Sequence, residues 1–158
     1  MSEYLQIYAK SKNNEFVELD CVGRSNYIYS AFDVPYGKVK LFTRSDIIEI
    51  QNKIREDKKD VENRIKLNKD KIEQIKSFNN SAEEKLEMMS QYDVIIEEEE
   101  EYLKEIIYAD YYTSFLISII ETNKYSDDSR EDVLYIGKEV GNNITMEDVE
   151  VCPKDILR

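Results

Sequence analysis

Residues 79–84 read NNSAEE, and they separate two long stretches of helix-forming sequence. Ser81 occupies the position of a helix N-cap and Glu84 stands three residues later, a spacing that predicts a capping box at the start of a new helix. Neither Gly nor Pro occurs in the two stretches, so no strong helix breaker interrupts them. Two long helices joined by a turn at 79–80 are expected to fold back on each other as an antiparallel hairpin.

The helix before the turn carries its own start signal. Thr43 is a favourable N-cap, and Asp46 at the third helical position can return a hydrogen bond to the cap. The sequence therefore predicts a first helix over residues 43–78 and a second helix from Ser81 to about Asn123. At 1.5 Å per residue, the arm formed by the hairpin is roughly 54 Å long.

Each predicted helix carries an apolar stripe on one side when its residues are projected at 100° per residue. The first stripe consists of Ile47, Ile50, Ile54, Val61, Ile65, Ile72 and Ile75, and the second of Ala82, Leu86, Met89, Ile96, Leu103, Ile107 and Tyr111. A turn at 79–80 pairs residues whose numbers sum to about 159, and in that register the polar interruptions of the two stripes coincide. The facing polar pairs are Lys58 with Glu100 and Asn68 with Tyr92. We expect these pairs to fix the register of the seam between the helices.

The two ends of the chain predict a small β-sheet. Short runs rich in Tyr, Ile, Val and Phe are bounded by turn residues, which is typical of strands. A short helix over residues 26–32 separates the second and third runs, and the last run fits either a strand or a short helix that begins near Thr145. Residues 106–120 are apolar on nearly every side, which predicts burial in the same unit. The predicted strands are residues 4–9, 16–19, 39–42, 133–136 and 144–151.

The predicted fold is α+β, with a small β-sheet head built from both chain termini and a long antiparallel coiled-coil helical hairpin inserted between them. Residues 1–42 and 126–158 form the two parts of the head, and residues 43–125 form the hairpin. A chain of 158 residues is long enough for one such domain with its own hydrophobic core.

The charge of the chain is strongly negative and unevenly distributed. There are 34 Asp and Glu residues against 22 Lys and Arg, which leaves a formal net charge of −12. Residues 43–78 hold ten basic and eight acidic side chains, whereas residues 79–125 hold three basic and twelve acidic ones. Part of the glutamate run at 97–101 is therefore expected to neutralise the first helix. The remaining charge would attract a basic protein and repel nucleic acid.

An apolar strip on the second helix recurs every seven residues, on a face away from the predicted seam. It is either buried against the head or exposed as a contact surface. As a contact surface it would fit a second copy of the chain, or a target with an apolar groove and a basic rim. The candidate partner-binding residues of the strip and its acidic border are Met88, Ile95, Glu98, Glu99, Tyr102 and Glu105.

Residue types that catalysis and metal binding commonly use are scarce. Histidine is absent, which removes the commonest general base and metal ligand, and leaves Cys21 and Cys152 without an activating histidine. The four glycines are dispersed, so the chain has no Gly-rich phosphate loop. We therefore predict no catalytic residue, no metal and no cofactor. An anion could still bind Arg24 and the N–H groups of a helix capped by Ser25, although capping alone explains the same residues.

Features of the whole chain indicate its context. The sequence has neither the basic start and apolar stretch of a secretory signal nor an apolar run of the ~18 residues that a membrane span needs, so we predict a cytoplasmic protein. Lys, Ile, Asn and Tyr make up 58 of the 158 residues, whereas Gly, Ala, Arg and Pro make up 16. That skew favours AT-rich codons and indicates a low-GC bacterium or its phage.

These observations predict a non-enzymatic, acidic protein that binds another protein. The favoured hypothesis is a phage or mobile-element accessory protein that inhibits a host defence enzyme by occupying its basic, nucleic-acid-binding surface. The first alternative is a structural or chaperone-like coiled-coil oligomer; strands flanking a helical hairpin resemble prefoldin-like chaperones in outline, with no shared motif. The second alternative is an anion or nucleotide sponge centred on Arg24. The oligomer would use the strip from Met88 to Tyr102.

Overall fold

The computed structural model describes residues 4–10, 13, 15–23, 26–122, 133–141 and 143–150. The helices and strands, in chain order, are β1 (Tyr4–Lys10), β2 (Phe16–Gly23), α1 (Asn26–Phe32), β3 (Val39–Thr43), α2 (Arg44–Lys76), α3 (Ala82–Thr122), β4 (Val133–Lys138), a 3-10 helix (Met146–Asp148) and β5 (Val149–Glu150). The fold is α+β, as the sequence predicts. The last predicted segment was expected to be either a strand or a short helix, and its described residues contain both, a short helical turn followed by a strand. The predicted domain boundaries stay a prediction, since residues 123–132 lie outside the described ranges.

The five strands form one mixed sheet in the order β2-β1-β4-β3-β5. Strand β4, which follows the hairpin in sequence, pairs antiparallel with both β1 and β3 and so lies at the centre of the sheet. Strand β5 pairs in parallel with β3 through Val39 and Val149. Because the central strand comes from the C-terminal part of the chain and its neighbours come from the N-terminal part, the head is built from both termini.

Apolar side chains cover both faces of the sheet, as the alternation along β1 requires. Leu5 and Ile7 point to the face that packs against the helices, in one cluster with Ile136. Tyr8 lies on the opposite face, where its hydroxyl donates a hydrogen bond of 2.9 Å to the carbonyl oxygen of Gly141. The sheet therefore holds the helices on one face and the segment that follows β4 on the other.

The two long helices begin at the predicted caps. The hydroxyl oxygen of Thr43 accepts a hydrogen bond from the N–H of Asp46 at 3.2 Å, and the Asp46 carboxylate accepts one from the N–H of Thr43 at 2.9 Å. At the start of α3, Ser81 Oγ accepts from the N–H of Glu84 at 3.2 Å, while the Glu84 carboxylate accepts from the side chain of Asn80 at 2.9 Å. The capping box of α2 is confirmed, whereas the Glu84 carboxylate bonds to a neighbour of the cap.

The helices α2 and α3 form the predicted hairpin, but the predicted register is wrong. The numbers of the residues in the four interhelical salt bridges of the described residues sum to 165, 165, 163 and 169, where the symmetric turn predicts about 159. The prediction assumed helix ends that lie level, whereas the five residues 77–81 let one helix slide along the other by about six residues, roughly 9 Å. These salt bridges are Arg44–Glu121, Arg55–Asp110, Arg64–Glu99 and Lys69–Glu100.

The rotation of α3 about its axis also differs from the prediction. Tyr111 is 77% exposed and Leu86 is 69% exposed, although both were predicted in the seam. The residues that face α2 recur in alternating steps of three and four, which is the 3.5-residue repeat of a coiled coil. Over several turns the positions of such a repeat move away from those that a projection at 100° per residue places on one side of the helix. On α3 these facing residues are Ile96, Glu99, Leu103, Ile106, Asp110 and Thr113.

One of the two predicted polar pairs of the seam, Lys58 with Glu100, is wrong. Glu100 pairs with Lys69 at 3.5 Å and not with Lys58. Tyr92 lines a groove at the tip of the hairpin together with Lys71, and its pairing with Asn68 stays a prediction. The buried seam contains a different polar contact. The side chain of Gln51 donates hydrogen bonds to the hydroxyl oxygens of Thr113 at 3.2 Å and Ser114 at 2.7 Å.

The second half of α3 forms the centre of the head. Ala109, Leu116 and Ile120 are buried together with the inner face of the sheet. The predicted burial of residues 106–120 is only partial, since Tyr108 and Tyr111 are exposed on the outer side of the helix. None of the helices in the described part of the chain is long and apolar enough to cross a membrane.

Candidate functional site

Two of the five consecutive glutamates neutralise α2. The Glu99 carboxylate accepts two hydrogen bonds from the guanidinium of Arg64, at 3.1 and 3.2 Å, and those bonds are the main cause of the raised pKa of Arg64. Glu100 pairs with Lys69 further along the same helix. Part of the glutamate run thus neutralises basic side chains of α2, as the sequence predicts.

The other glutamates of the run lie on the outer side of α3. Glu97 and Glu98 are exposed, and none of the salt bridges among the described residues involves either of them. Glu101 pairs with Lys104 of its own helix at 2.8 Å. Val94, also exposed, precedes Glu97 and Glu98 by three and four residues and therefore shares their side of the helix. We call Val94, Glu97, Glu98 and Glu101 the acidic face.

The structure divides the predicted partner-binding residues among four places. Met88 is half-buried and lines the groove at the tip of the hairpin, and Glu99 belongs to the interhelical ion pair described above. Ile95 is exposed beside the acidic face. Tyr102 packs edge-on against Tyr27 of α1, with ring centroids 5.6 Å apart and ring planes at 90°. Tyr102 therefore makes an intramolecular contact with the head while part of its surface stays exposed.

A cavity of about 330 Å³ lies between α1, α2 and α3, next to the contact between the two tyrosines. Its volume is at the lower end of the range of small-ligand pockets, roughly 300–1,000 Å³. Ile50 and Ile54 of α2 supply part of its apolar wall. Its polar and aromatic lining includes Asn26, Tyr27, Lys53, Asp57, Tyr102 and Glu105.

A partly buried hydrogen bond organises one wall of this cavity. The hydroxyl of Tyr27 donates to Oδ2 of Asp57 at 2.7 Å, and the Tyr27 side chain is only 9% exposed. Burial raises the pKa of Tyr27, and the bond to Asp57 raises it further, so the hydroxyl keeps its proton and remains a donor. Burial and the nearby negative charge of Asp57 likewise raise the pKa of Tyr102. The wall therefore presents aromatic rings and an oriented carboxylate.

Two residues of the cavity lining were predicted from the sequence as functional residues. Tyr102 and Glu105 were predicted as partner-binding residues, and both line it. Tyr27, Lys53 and Asp57 were missed because no periodicity in the sequence relates α1 to α2. The signal that could have found them is the spacing of Lys53 and Asp57, which lie one helical turn apart on a face of α2 beside the apolar stripe.

The described residues do not assemble a metal site. They contain no group of three or more His, Cys, Asp or Glu side chains that could hold a metal ion. Cys21 is a free and exposed thiol whose pKa is raised by burial and by the charges of Glu18 and Asp20, which disfavours the nucleophilic thiolate. The predicted anion site at Arg24 and Ser25 lies outside the described residues.

The chain was compared with protein-family models, with curated proteins and with solved structures, and none of them matches it.

Proposed function

We propose that this chain is a non-enzymatic protein that binds a basic surface of another protein through the acidic face of α3. The uneven charge of the hairpin is the observation that carries the proposal. Helix α3 holds twelve acidic and two basic side chains, and the basic side chains of α2 meet only some of them. Glu97 and Glu98 are left exposed next to the apolar side chain of Val94. Carboxylates around an apolar residue suit a partner with an apolar patch inside a basic rim.

The same charge favours a particular class of partner. A net charge of −12 speeds association with a basic protein and opposes contact with nucleic acid. Enzymes that bind nucleic acid carry basic channels for the phosphate backbone, and an acidic helical arm can occupy such a channel. The codon skew of the chain supports a phage or mobile-element origin. In that context the protein inhibits a defence enzyme in the host cytoplasm by blocking its nucleic-acid channel.

Affinity capture from the lysate of a low-GC bacterium tests this function. The wild-type chain should retain a basic nucleic-acid-binding enzyme, release it when DNA or salt is added, and lower its activity on nucleic acid. The double variant Glu97→Lys/Glu98→Lys should lose capture and inhibition. The matched control is Glu62→Lys/Asp70→Lys, which makes the same charge change at exposed positions of α2. Equal behaviour of the two variants, or no enzyme captured by the wild type, would refute the proposal.

A coiled-coil oligomer is the second candidate, and one observation favours it. Ile107, Tyr108 and Tyr111 are exposed large apolar or aromatic side chains on the outer side of α3. Such side chains suit an interface between two copies of the chain. Sedimentation decides this candidate: a stable dimer that Tyr111→Glu dissociates supports self-assembly, and a monomer at all concentrations rules it out.

A further inference from the structure

The cavity between α1, α2 and α3 opens on the same side of α3 as the acidic face. Glu105, which lines the cavity, lies four residues from Glu101 and seven residues from Glu98. Tyr102 lies four residues from Glu98. Steps of four and seven residues keep side chains on one side of an α-helix. A protein docked on the acidic face would therefore meet the mouth of the cavity within about two helical turns, roughly 10 Å.

The polar groups of the cavity favour a ligand that donates hydrogen bonds. Asp57 of α2 and Glu105 of α3 bring carboxylates from two different helices, and the Tyr27 hydroxyl orients the first of them at 2.7 Å. That bond uses one oxygen of Asp57, and a carboxylate can accept at both of its oxygens. The charged side chains of the lining are one ammonium group, that of the exposed Lys53, and two carboxylates, so the lining is net negative. A cation is therefore favoured over an anion.

The aromatic wall favours one kind of cation. The rings of Tyr27 and Tyr102 lie at 90° to each other, and Tyr102 is 40% exposed, so aromatic surface lies beside the carboxylates. A guanidinium group is planar, stacks on aromatic rings, donates hydrogen bonds in a fork that matches carboxylates, and is less strongly hydrated than an ammonium group. Basic partners carry this group on arginine. We propose that the cavity receives an arginine side chain presented by the basic partner, an inference that rests on the proposed function.

Titration of the intact protein with an arginine derivative tests the chemistry of the cavity. N-acetyl-arginine N-methylamide should bind saturably with a millimolar dissociation constant, because a single side chain offers few atoms for contact. The binding should shift the NMR signals of the Tyr27 and Tyr102 rings. The citrulline analogue has nearly the same shape without the charge, and we expect it to bind about tenfold more weakly or worse. Equal binding of both compounds, binding of neither, or unmoved ring signals would overturn the inference.

Variants that each remove the charge of one carboxylate test whether the arginine derivative binds in the cavity. Asp57→Asn keeps an acceptor for Tyr27 and Glu105→Gln keeps the shape of its side chain, so both are expected to fold, which circular dichroism checks. Each should weaken binding of the arginine derivative by about tenfold. Glu101→Gln is the matched control, since it removes one charge from the acidic face outside the cavity lining. A loss of the same size in Glu101→Gln would show a general charge effect and would count against the cavity.

The capture experiment separates the two proposals. If the wild-type chain captures a basic enzyme and Glu105→Gln and Tyr102→Leu both weaken capture, the partner supplies the arginine. If capture is unchanged in both variants, the function stands and the arginine inference is wrong. If the wild type captures nothing while the arginine derivative still binds, the proposed function fails, and the claim that a partner presents the group fails with it.

Discussion

The hydroxyl of Tyr27 on α1 and the carboxylate of Asp57 on α2 are joined by a hydrogen bond of 2.7 Å. The two residues are thirty positions apart in sequence, and their bond attaches the short helix of the head to the arm. The bond also orients the carboxylate at the wall of the cavity, because Asp57 and Tyr27 both line it. One contact therefore contributes both to the attachment of α1 to the arm and to the chemistry of the cavity.

Replacing Tyr27 by Phe should destabilise the protein. The variant keeps the ring but leaves the half-buried Asp57 carboxylate without its donor, which costs about 1–3 kcal/mol of unfolding free energy. Urea denaturation followed by circular dichroism measures the change. Tyr111→Phe is the control, because Tyr111 is exposed and its change should stay within about 0.5 kcal/mol. A loss in Tyr27→Phe no larger than in the control would show that the bond contributes nothing.

Two adjacent isoleucines of α3 should respond very differently to truncation. Ile106 is fully buried, whereas Ile107, which the straight projection places in the seam, is 39% exposed. Ile106→Ala removes core contacts and should cost about 2–5 kcal/mol, and Ile107→Ala should cost clearly less. Thermal or urea unfolding of the two variants gives the comparison. The reverse order would mean that α3 is rotated as the projection predicted.

Chemical cross-linking should report the register of the hairpin. Lys69 Nζ lies 3.5 Å from Glu100 Oε1, so a carbodiimide should join these two side chains by an amide bond. Peptide mass spectrometry identifies the linked pair. The variant Lys69→Arg should abolish this link, because a guanidinium does not form the amide. A dominant link between Lys58 and Glu100 would instead show that the helices pair in the symmetric register predicted from the sequence.

The stability of the protein should fall above about pH 10 because buried tyrosines hold their protons. Burial, with a contribution from Glu18, raises the pKa of Tyr8 from 10.0 to about 12. Between these two values the unfolded chain loses the proton and the folded chain keeps it. The stabilising contribution is therefore complete below pH 10 and is lost as the pH rises towards 12. Unfolding free energies measured from pH 8 to 11 should decrease at the alkaline end.

The variant Tyr8→Phe shows how much of the loss of stability above pH 10 comes from Tyr8. It loses the hydrogen bond to the Gly141 carbonyl oxygen, which should cost about 1 kcal/mol at neutral pH. It should also reduce, without abolishing, the decrease above pH 10, since Tyr27 and Tyr112 have raised pKa values as well. An unaltered decrease in Tyr8→Phe would show that Tyr8 does not titrate differently in the two states.

Much of the fold could be predicted from short stretches of sequence. The capping box at Thr43, the bounds of α1 and the strands at both ends follow from residues that are neighbours in the chain. The site could be predicted only in part. Tyr102 and Glu105 stand on a recognisable strip of α3, whereas Tyr27 and Asp57 carry no pattern that connects them.

Caps, apolar periodicity and the turn at 79–80 act over a few residues, so the amino-acid sequence by itself determined two long helices, their antiparallel hairpin and a sheet made from both ends. The stagger of the helices and the rotation of α3 were decided only by tertiary packing. Several registers satisfy an isoleucine stripe almost equally well, and the observed one also buries Gln51 against Thr113 and Ile106 within the core of the head. The cavity exists because that packing brings α1 to the hairpin, a contact between segments that no local signal relates.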